Sequence, residues 1–124
     1  MAQLVLSYKR RFQVWTYTVS HGQLLLRSTK DAENRTQVDV LFKNVLSVNL
    51  PTLLDDLCVE LADEEGATGV TAQLGAWKLF DEKMFLVWGR NFRGYVVAGI
   101  VVSSEDDQEH HEPSPLLQLP GRWM

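Results

Sequence analysis

Two groups of residues have the types and spacing to do chemistry. The first combines arginines with aromatic rings: Trp88, Arg90, Phe92, Arg93 and Tyr95. Such a combination can hold a phosphate or stack on a base. An ordinary hairpin turn, with solvated arginines and aromatic rings in the core, would use the same residues, and we favour this interpretation. If the chain contacts a ligand or a protein partner, we expect these five residues to make the contact.

The second group is a pair of histidines, His110 and His111, within the acidic segment 105–112. Imidazole and carboxylate groups together can bind a divalent metal ion. Adjacent residues of an extended chain point to opposite sides, so an ordered site would need a further ligand such as His21 or Glu60. A solvated acidic segment is the interpretation we favour, and His110 and His111 are the candidate metal ligands.

Other nucleophiles have weaker patterns around them. Cys58 is the only cysteine, so an intrachain disulfide is impossible, and its apolar neighbours predict a buried small side chain. Ser20 and His21 are adjacent, and neighbours on a strand face away from each other, which argues against a Ser–His pair. Phosphate loops, dinucleotide fingerprints and Cys-x-x-Cys motifs do not occur. These observations favour a protein that is not an enzyme and needs no cofactor.

Length and charge narrow the class of protein. The chain has 124 residues, a formal net charge of -4 and a pI of about 5.3, which indicate one domain and argue against a nucleic-acid or anionic-membrane binder. Residues 93–95 open like one strand motif of RNA-recognition domains, but Val96 and Val97 depart from it. The apolar run 96–102 is too short to span a membrane, and the N-terminus lacks a signal-peptide core. We therefore expect a cytoplasmic protein.

Aromatic and β-branched residues predict two hairpins. Segment 12–28 is predicted to form the first, with its turn at Ser20, His21 and Gly22. Segments 84–88 and 95–102 are predicted to form the second, around a loop of about six residues at 89–94. Alternation of apolar residues predicts two more strands, at 38–42 and at 45–50. The basic run 9–11 is expected to be a solvated segment that precedes the first strand.

Residues 52–75 admit two interpretations. One is a helix over 53–64, capped by Thr52, with Leu54, Leu57, Cys58 and Leu61 on one side. The other is a strand at 57–61 followed by a helix over 63–74. Both contain one helix. The sequence thus predicts an α+β domain of six or seven short, mostly antiparallel strands, in a twisted sheet or a partly open barrel, with one helix in 52–75.

The chain is expected to form a single mixed β-rich domain over 1–107. A proline-rich C-terminal tail follows at 108–124 and is expected to pack on that domain, because its apolar residues need burial. The run of strands resembles pleckstrin-homology-like domains, small partly open barrels used for lipid or peptide binding. Those domains typically close with a C-terminal helix, whereas this chain ends with Pro113, Pro115 and Pro120.

Three hypotheses about function follow. The first is a small, non-enzymatic intracellular module that binds a protein partner or a second copy of itself, with no nucleic acid and no membrane involved. An aromatic-lined barrel that binds a small molecule is the alternative. A metal-dependent enzyme that uses His110 and His111 is the third.

Overall fold

A computed structural model describes residues 3–62 and 83–107. They form one antiparallel sheet in the order β4-β7-β6-β5-β1-β2-β3-β8, with a single 3-10 turn. The strands, in chain order, are β1 (Gln3–Thr18), β2 (Gln23–Ser28), β3 (Gln37–Lys43), β4 (Ser47–Asn49), β5 (Leu53–Leu61), β6 (Lys83–Trp88), β7 (Arg93–Ala98) and β8 (Ile100–Asp106). The prediction of a predominantly antiparallel sheet is confirmed.

This sheet is open in its hydrogen-bond order, yet its two ends lie close together. Strand β7 is second in the order and β8 is last, but only Gly99 separates them in the chain. In the same way β3, beside β8, leads through residues 44–46 into β4, beside β7. The sheet must therefore curl until both ends share one interior.

The inner face of the curled sheet is the main hydrophobic core. Alternate residues of nearly every strand enter it, and they are almost completely buried. The rings of Phe42 and Phe85 meet edge to face near its middle, with centroids 5.7 Å apart. The buried members are Phe12, Leu24, Leu26, Val38, Val40, Phe42, Val45, Leu54, Leu57, Val59, Phe85, Val87, Val96 and Ala98.

The predicted first hairpin is present. Strands β1 and β2 pair antiparallel, and residues Val19–His21 form the 3-10 turn between them. Gly22 ends that turn with φ +59, a left-handed conformation that glycine adopts without steric cost. Its amide donates to the carbonyl of Val19 at 3.2 Å. The turn residues therefore do what their types predict.

The described residues do not bear out the predicted α+β class with one helix in 52–75. Residues Leu53–Leu61 are strand β5, so the helix over 53–64 does not form. Leu54 and Leu57 are both buried on the inner face because Asp56, at φ +67, lies in a β-bulge between them. This bulge gives the strand the three-residue apolar spacing of a helix. The alternative helix over 63–74 lies outside the described residues.

The described strands number eight, more than the predicted six or seven, and several bounds differ. Strand β1 starts at Gln3, so the basic run 9–11 belongs to it rather than preceding it. Segment 95–102 is divided by the bend at Gly99 into β7 and β8, which adds a strand. The loop of the second hairpin is 89–92, shorter than predicted. No helix within 3–62 and 83–107 has the length and apolar character needed to cross a membrane.

The outer face of β2 and β3 carries a buried ion pair. Arg27 and Asp39 are cross-strand partners, each with a side chain only 2% exposed. The guanidinium donates to both carboxylate oxygens, at 2.7 and 3.0 Å, and lies 5.1 Å from the centre of the Trp15 ring. A bidentate geometry of this kind is what a desolvated pair needs to offset the loss of water.

Removing one partner of the Arg27–Asp39 pair should destabilise the fold strongly. We expect Arg27→Ala to lower the free energy of unfolding by about 3–5 kcal/mol, because Asp39 would remain as an unpaired buried charge. Arg11→Ala is the matched control, since Arg11 pairs with Asp55 at 2.8 Å but is 65% exposed. That change should cost about 1 kcal/mol or less. Urea denaturation measures both, and equal losses would contradict the expectation.

Candidate functional site

A row of four side chains crosses the outer face of the sheet on the side away from Arg27. Strand register places Ser7 of β1 opposite Cys58 of β5, Cys58 opposite Trp88 of β6, and Trp88 opposite Arg93 of β7. Residues that oppose each other in a sheet project to the same side. We call these four residues the Trp88 row.

Trp88 is the prominent member of the row. It is 36% exposed, and its indole N–H donates to a carboxylate oxygen of Glu60 at 3.2 Å. A depression of about 240 Å³ lies on one side, bordered by Glu60, Leu86 and Arg93. A second depression of about 260 Å³ lies on the other side, bordered by residues that include Lys9 and Cys58. The hydrogen bond to Glu60 therefore orients the Trp88 ring, which borders both depressions.

The β-bulge between β1 and β5, where Lys9 and Arg10 oppose the single residue Asp56, forms part of the second depression. Strand β1 pairs Tyr8 with Leu57 and Arg11 with Asp55, which leaves Asp56 at φ +67 between two regular stretches. Positive φ is uncommon for residues other than glycine, although aspartate tolerates it better than most. Asp56 borders the depression, and its carboxylate accepts from Nε of Arg90 at 3.1 Å.

The loop 89–92 is fastened to this bulge by backbone hydrogen bonds. The amide of Arg90 donates to the carbonyl of Asp55 at 2.8 Å, and the amide of Asp55 donates to Oδ1 of Asn91 at 3.0 Å. Gly89 closes the turn by donating to the carbonyl of Phe92 at 3.1 Å. A Cβ on Gly89 would come within 2.6 Å of the carbonyl oxygen of Asp56, so only glycine fits there.

Charges around Trp88 are unevenly paired. Arg90 pairs with Asp56, and Arg11 pairs with Asp55. Lys9 and Arg93 are exposed, and within the described ranges neither makes an ion pair. Lys9 borders one depression and Arg93 the other. A cation is therefore available on each side of the exposed ring.

The structure separates the five residues predicted as a contact surface. Trp88 and Arg93 lie together in the row, and Arg90 borders the depression beyond Trp88. Phe92 is half-buried and packs against the main core, whereas Tyr95 packs against Met84 and Val97 on the outer face. Phe92 thus matches the structural interpretation of the hairpin. A contact with a ligand or partner stays a prediction.

Sequence reasoning missed Lys9, Asp56 and Glu60 as neighbours of Trp88. The sequence predicts that Lys9 belongs to a solvated segment before the first strand and that a helix over 53–64 includes Asp56, so neither residue is expected beside Trp88. The alternation of Leu57, Val59 and Leu61 was the one signal that placed Glu60 on an outer face. Their approach to Trp88 depends on pairing between distant strands, which the sequence alone does not reveal.

The other candidate nucleophiles form weak arrangements. Cys58 is half-buried, and its Sγ lies 3.3 Å from Oγ of Ser7, a hydroxyl that is a poor base. Ser20 and His21 do not point apart as predicted, because the 3-10 turn brings Oγ of Ser20 and Nδ1 of His21 within 3.1 Å of each other at an exposed position. His110 and His111 lie outside the described residues. Within 3–62 and 83–107, no three His, Cys, Asp or Glu side chains could hold a metal ion.

Comparison with known proteins leaves the function to be argued from this geometry. No family model, no curated protein and no solved structure matches the chain.

The backbone of Asp56 can be tested apart from its charge. We expect Asp56→Ala to lower the free energy of unfolding by about 1–2 kcal/mol, because alanine is strained at positive φ. Asp56→Asn is the matched control, since asparagine tolerates that conformation and an exposed ion pair contributes about 0.5 kcal/mol or less. Urea denaturation measures both variants. Equal destabilisation would show that the charge, not the bulge, matters.

Proposed function

We propose that this chain is a small, non-enzymatic module that binds a segment of a protein partner through the Trp88 row. The preferred segment has an apolar side chain flanked by carboxylates. One observation carries the proposal. Trp88 is exposed on the outer face of a sheet, is oriented by Glu60, and has a cation in each flanking depression.

The type and placement of Trp88 support a binding role. Tryptophan and arginine are the residues that most often dominate the binding energy of protein interfaces. The hydrogen bond to Glu60 restricts the ring before any partner arrives, which lowers the entropy lost on binding. The hydrogen bonds between loop 89–92 and β5 restrict the neighbouring backbone in the same way. The surface is thus preorganised for an apolar side chain.

The charges select the partner. Lys9 and Arg93 are exposed and unpaired within the described part of the chain, whereas Glu60 and Asp56 already have donors. A carboxylate on either side of an apolar residue would meet a cation without displacing an existing ion pair. Electrostatic complementarity of this kind favours acidic segments and makes association sensitive to salt.

The shape of the site favours a peptide side chain over a whole small molecule. The two depressions, of about 240 and 260 Å³, are smaller than the pockets of about 300–1,000 Å³ typical of small-molecule sites. In the main core the rings of Phe42 and Phe85 contact each other, with centroids 5.7 Å apart. These features support anchoring of one or two side chains from a longer partner.

Selection from a random peptide library on the full chain tests the proposal. We expect enriched peptides to carry Leu, Phe or Trp with Asp or Glu on both sides. Trp88→Ala should weaken the selected peptides at least tenfold, because hot-spot tryptophans contribute about 2 kcal/mol or more. Reversing both charges, with Lys9→Glu and Arg93→Glu, should also weaken them. Isothermal titration calorimetry measures each affinity.

Val19→Ala is the matched control, because Val19 is 76% exposed at the tip of the first hairpin, away from the Trp88 row. It should leave the affinity unchanged. Peptides that bind Trp88→Ala as tightly as the unmodified chain would refute the proposal. Enrichment of basic peptides would refute its electrostatic part.

A further inference from the structure

The outer face of β2 and β3 is buried as completely as the core. Along these strands Leu25, Arg27, Asp39 and Leu41 project away from the main core, yet each is 2% exposed or less. An outer face is normally solvated in a single sheet, with polar residues alternating outward. We call these four residues, together with Gln37 of β3, the Arg27 face.

The described residues provide only a partial cover for this face. Trp15 lies over the Arg27 guanidinium and packs with Val102 against Leu25 and Leu41, and both covering side chains are only half-buried themselves. The other described strands are neighbours within the same sheet, so none crosses over the Arg27 face as a second layer. The face is as buried as a protein interior although three of its five residues are polar or charged, and it needs a further segment above it.

Unpaired polar groups on this side indicate what kind of segment fits. Both amide atoms of Gln37 and the hydroxyl of Ser104 are buried without a hydrogen-bond partner among the described residues. Gln37 is only 1% exposed, and a buried amide left unpaired costs free energy. An extended backbone offers carbonyl acceptors for Nε2 of Gln37 and the hydroxyl of Ser104, and its amides other than those of proline can donate to Oε1 of Gln37. Proline-rich chains in particular dock on aromatic rings while their carbonyls stay free.

The end of β8 lies beside the Arg27 face. Asp106, the last residue of β8, pairs with Gln37, and the carbonyl of Asp107 accepts a hydrogen bond from Nζ of Lys30. The sequence then continues from 108 to 124, with prolines at 113, 115 and 120 and apolar residues between them. The distance along β3 from Gln37 to Leu41 is about 13 Å. Residues 108–116 span up to roughly 30 Å when extended, so they can reach it.

We propose that the proline-rich segment 113–119 of the same chain packs across the Arg27 face. Its prolines lie on Trp15, its carbonyls accept from Gln37 and Ser104, and Leu116 and Leu117 cover Leu25 and Leu41. This contact makes the C-terminal segment a second layer over one half of the sheet. It is separate from the Trp88 row, which lies on β1, β5, β6 and β7.

The internal segment 63–82 is a less suitable occupant. It leaves the sheet after Ala62 of the chain and rejoins it at Lys83, next to Met84 and Val97. Those two residues form a different buried patch on the outer face, and β5 is separated from β2 by β1. The described residues that flank the segment, Ala62 and Lys83, thus lie beside Met84 and away from the Arg27 face.

Nuclear Overhauser effects in the unmodified full chain test the proposal directly. We expect contacts from prolines 113 and 115 to the Trp15 ring, and from Leu116 or Leu117 to the methyl groups of Leu25 and Leu41. A sample that mixes differently labelled copies identifies contacts between chains. Contacts only between chains, contacts from 63–82 instead, or no contacts to these groups would each overturn the proposal.

A pair of variants provides a second measurement. Leu116→Asp with Leu117→Asp should accelerate hydrogen exchange of the Arg27 Nε–H and the Gln37 amide at least about tenfold, because local opening becomes easier. Gln108→Asp with His110→Asp is the matched control and should leave both rates unchanged, since the two changes add the same two negative charges outside 113–119. Equal rates in the two variants would overturn the proposal.

Discussion

Gly99 sets the constraint on which the rest of the structure depends. It alone connects β7 with β8, which occupy nearly opposite positions in the order of the sheet. Its amide donates to the carbonyl of Lys43 at 2.9 Å and to that of Asn44 at 3.2 Å, so the bend is fixed to the opposing strand. Asn44 makes a matching bend with φ +57. Because a single residue connects β7 with β8, the two strands must lie close together, and the sheet has to curl around a single interior.

This curvature gives the two faces of the sheet different roles. The inner face collects apolar side chains from both ends of the sheet into one core, which supplies the main stabilisation. The outer face, in contrast, differs in burial from one part of the sheet to another. Over β2 and β3 it is buried and holds the Arg27–Asp39 pair, whereas over β5 and β6 it exposes Trp88. The proposed binding site and the buried ion pair thus lie on separate halves of one outer face.

The sequence predicts those features that depend on neighbouring residues. The first hairpin follows from its aromatic and β-branched run and from Gly22, and the strand at 84–88 from its composition. The helix over 53–64 was predicted wrongly because the bulge at Asp56 places Leu54 and Leu57 on the same face. Trp88 and Arg93 were identified because they are close in the chain. Lys9 and Glu60 were not, because register between distant strands is set by the whole fold.

The bulge that gave β5 the appearance of a helix also builds the candidate site. In a regular strand successive side chains alternate between the two faces of the sheet. The positive φ of Asp56 interrupts this alternation. The carbonyl of Asp55 then accepts from Arg90, and the carboxylate of Asp56 pairs with the same residue. Loop 89–92 is held beside Trp88 as a result. Bulges recur next to functional sites because they redirect side chains, and here the local irregularity and the exposed tryptophan belong to one arrangement.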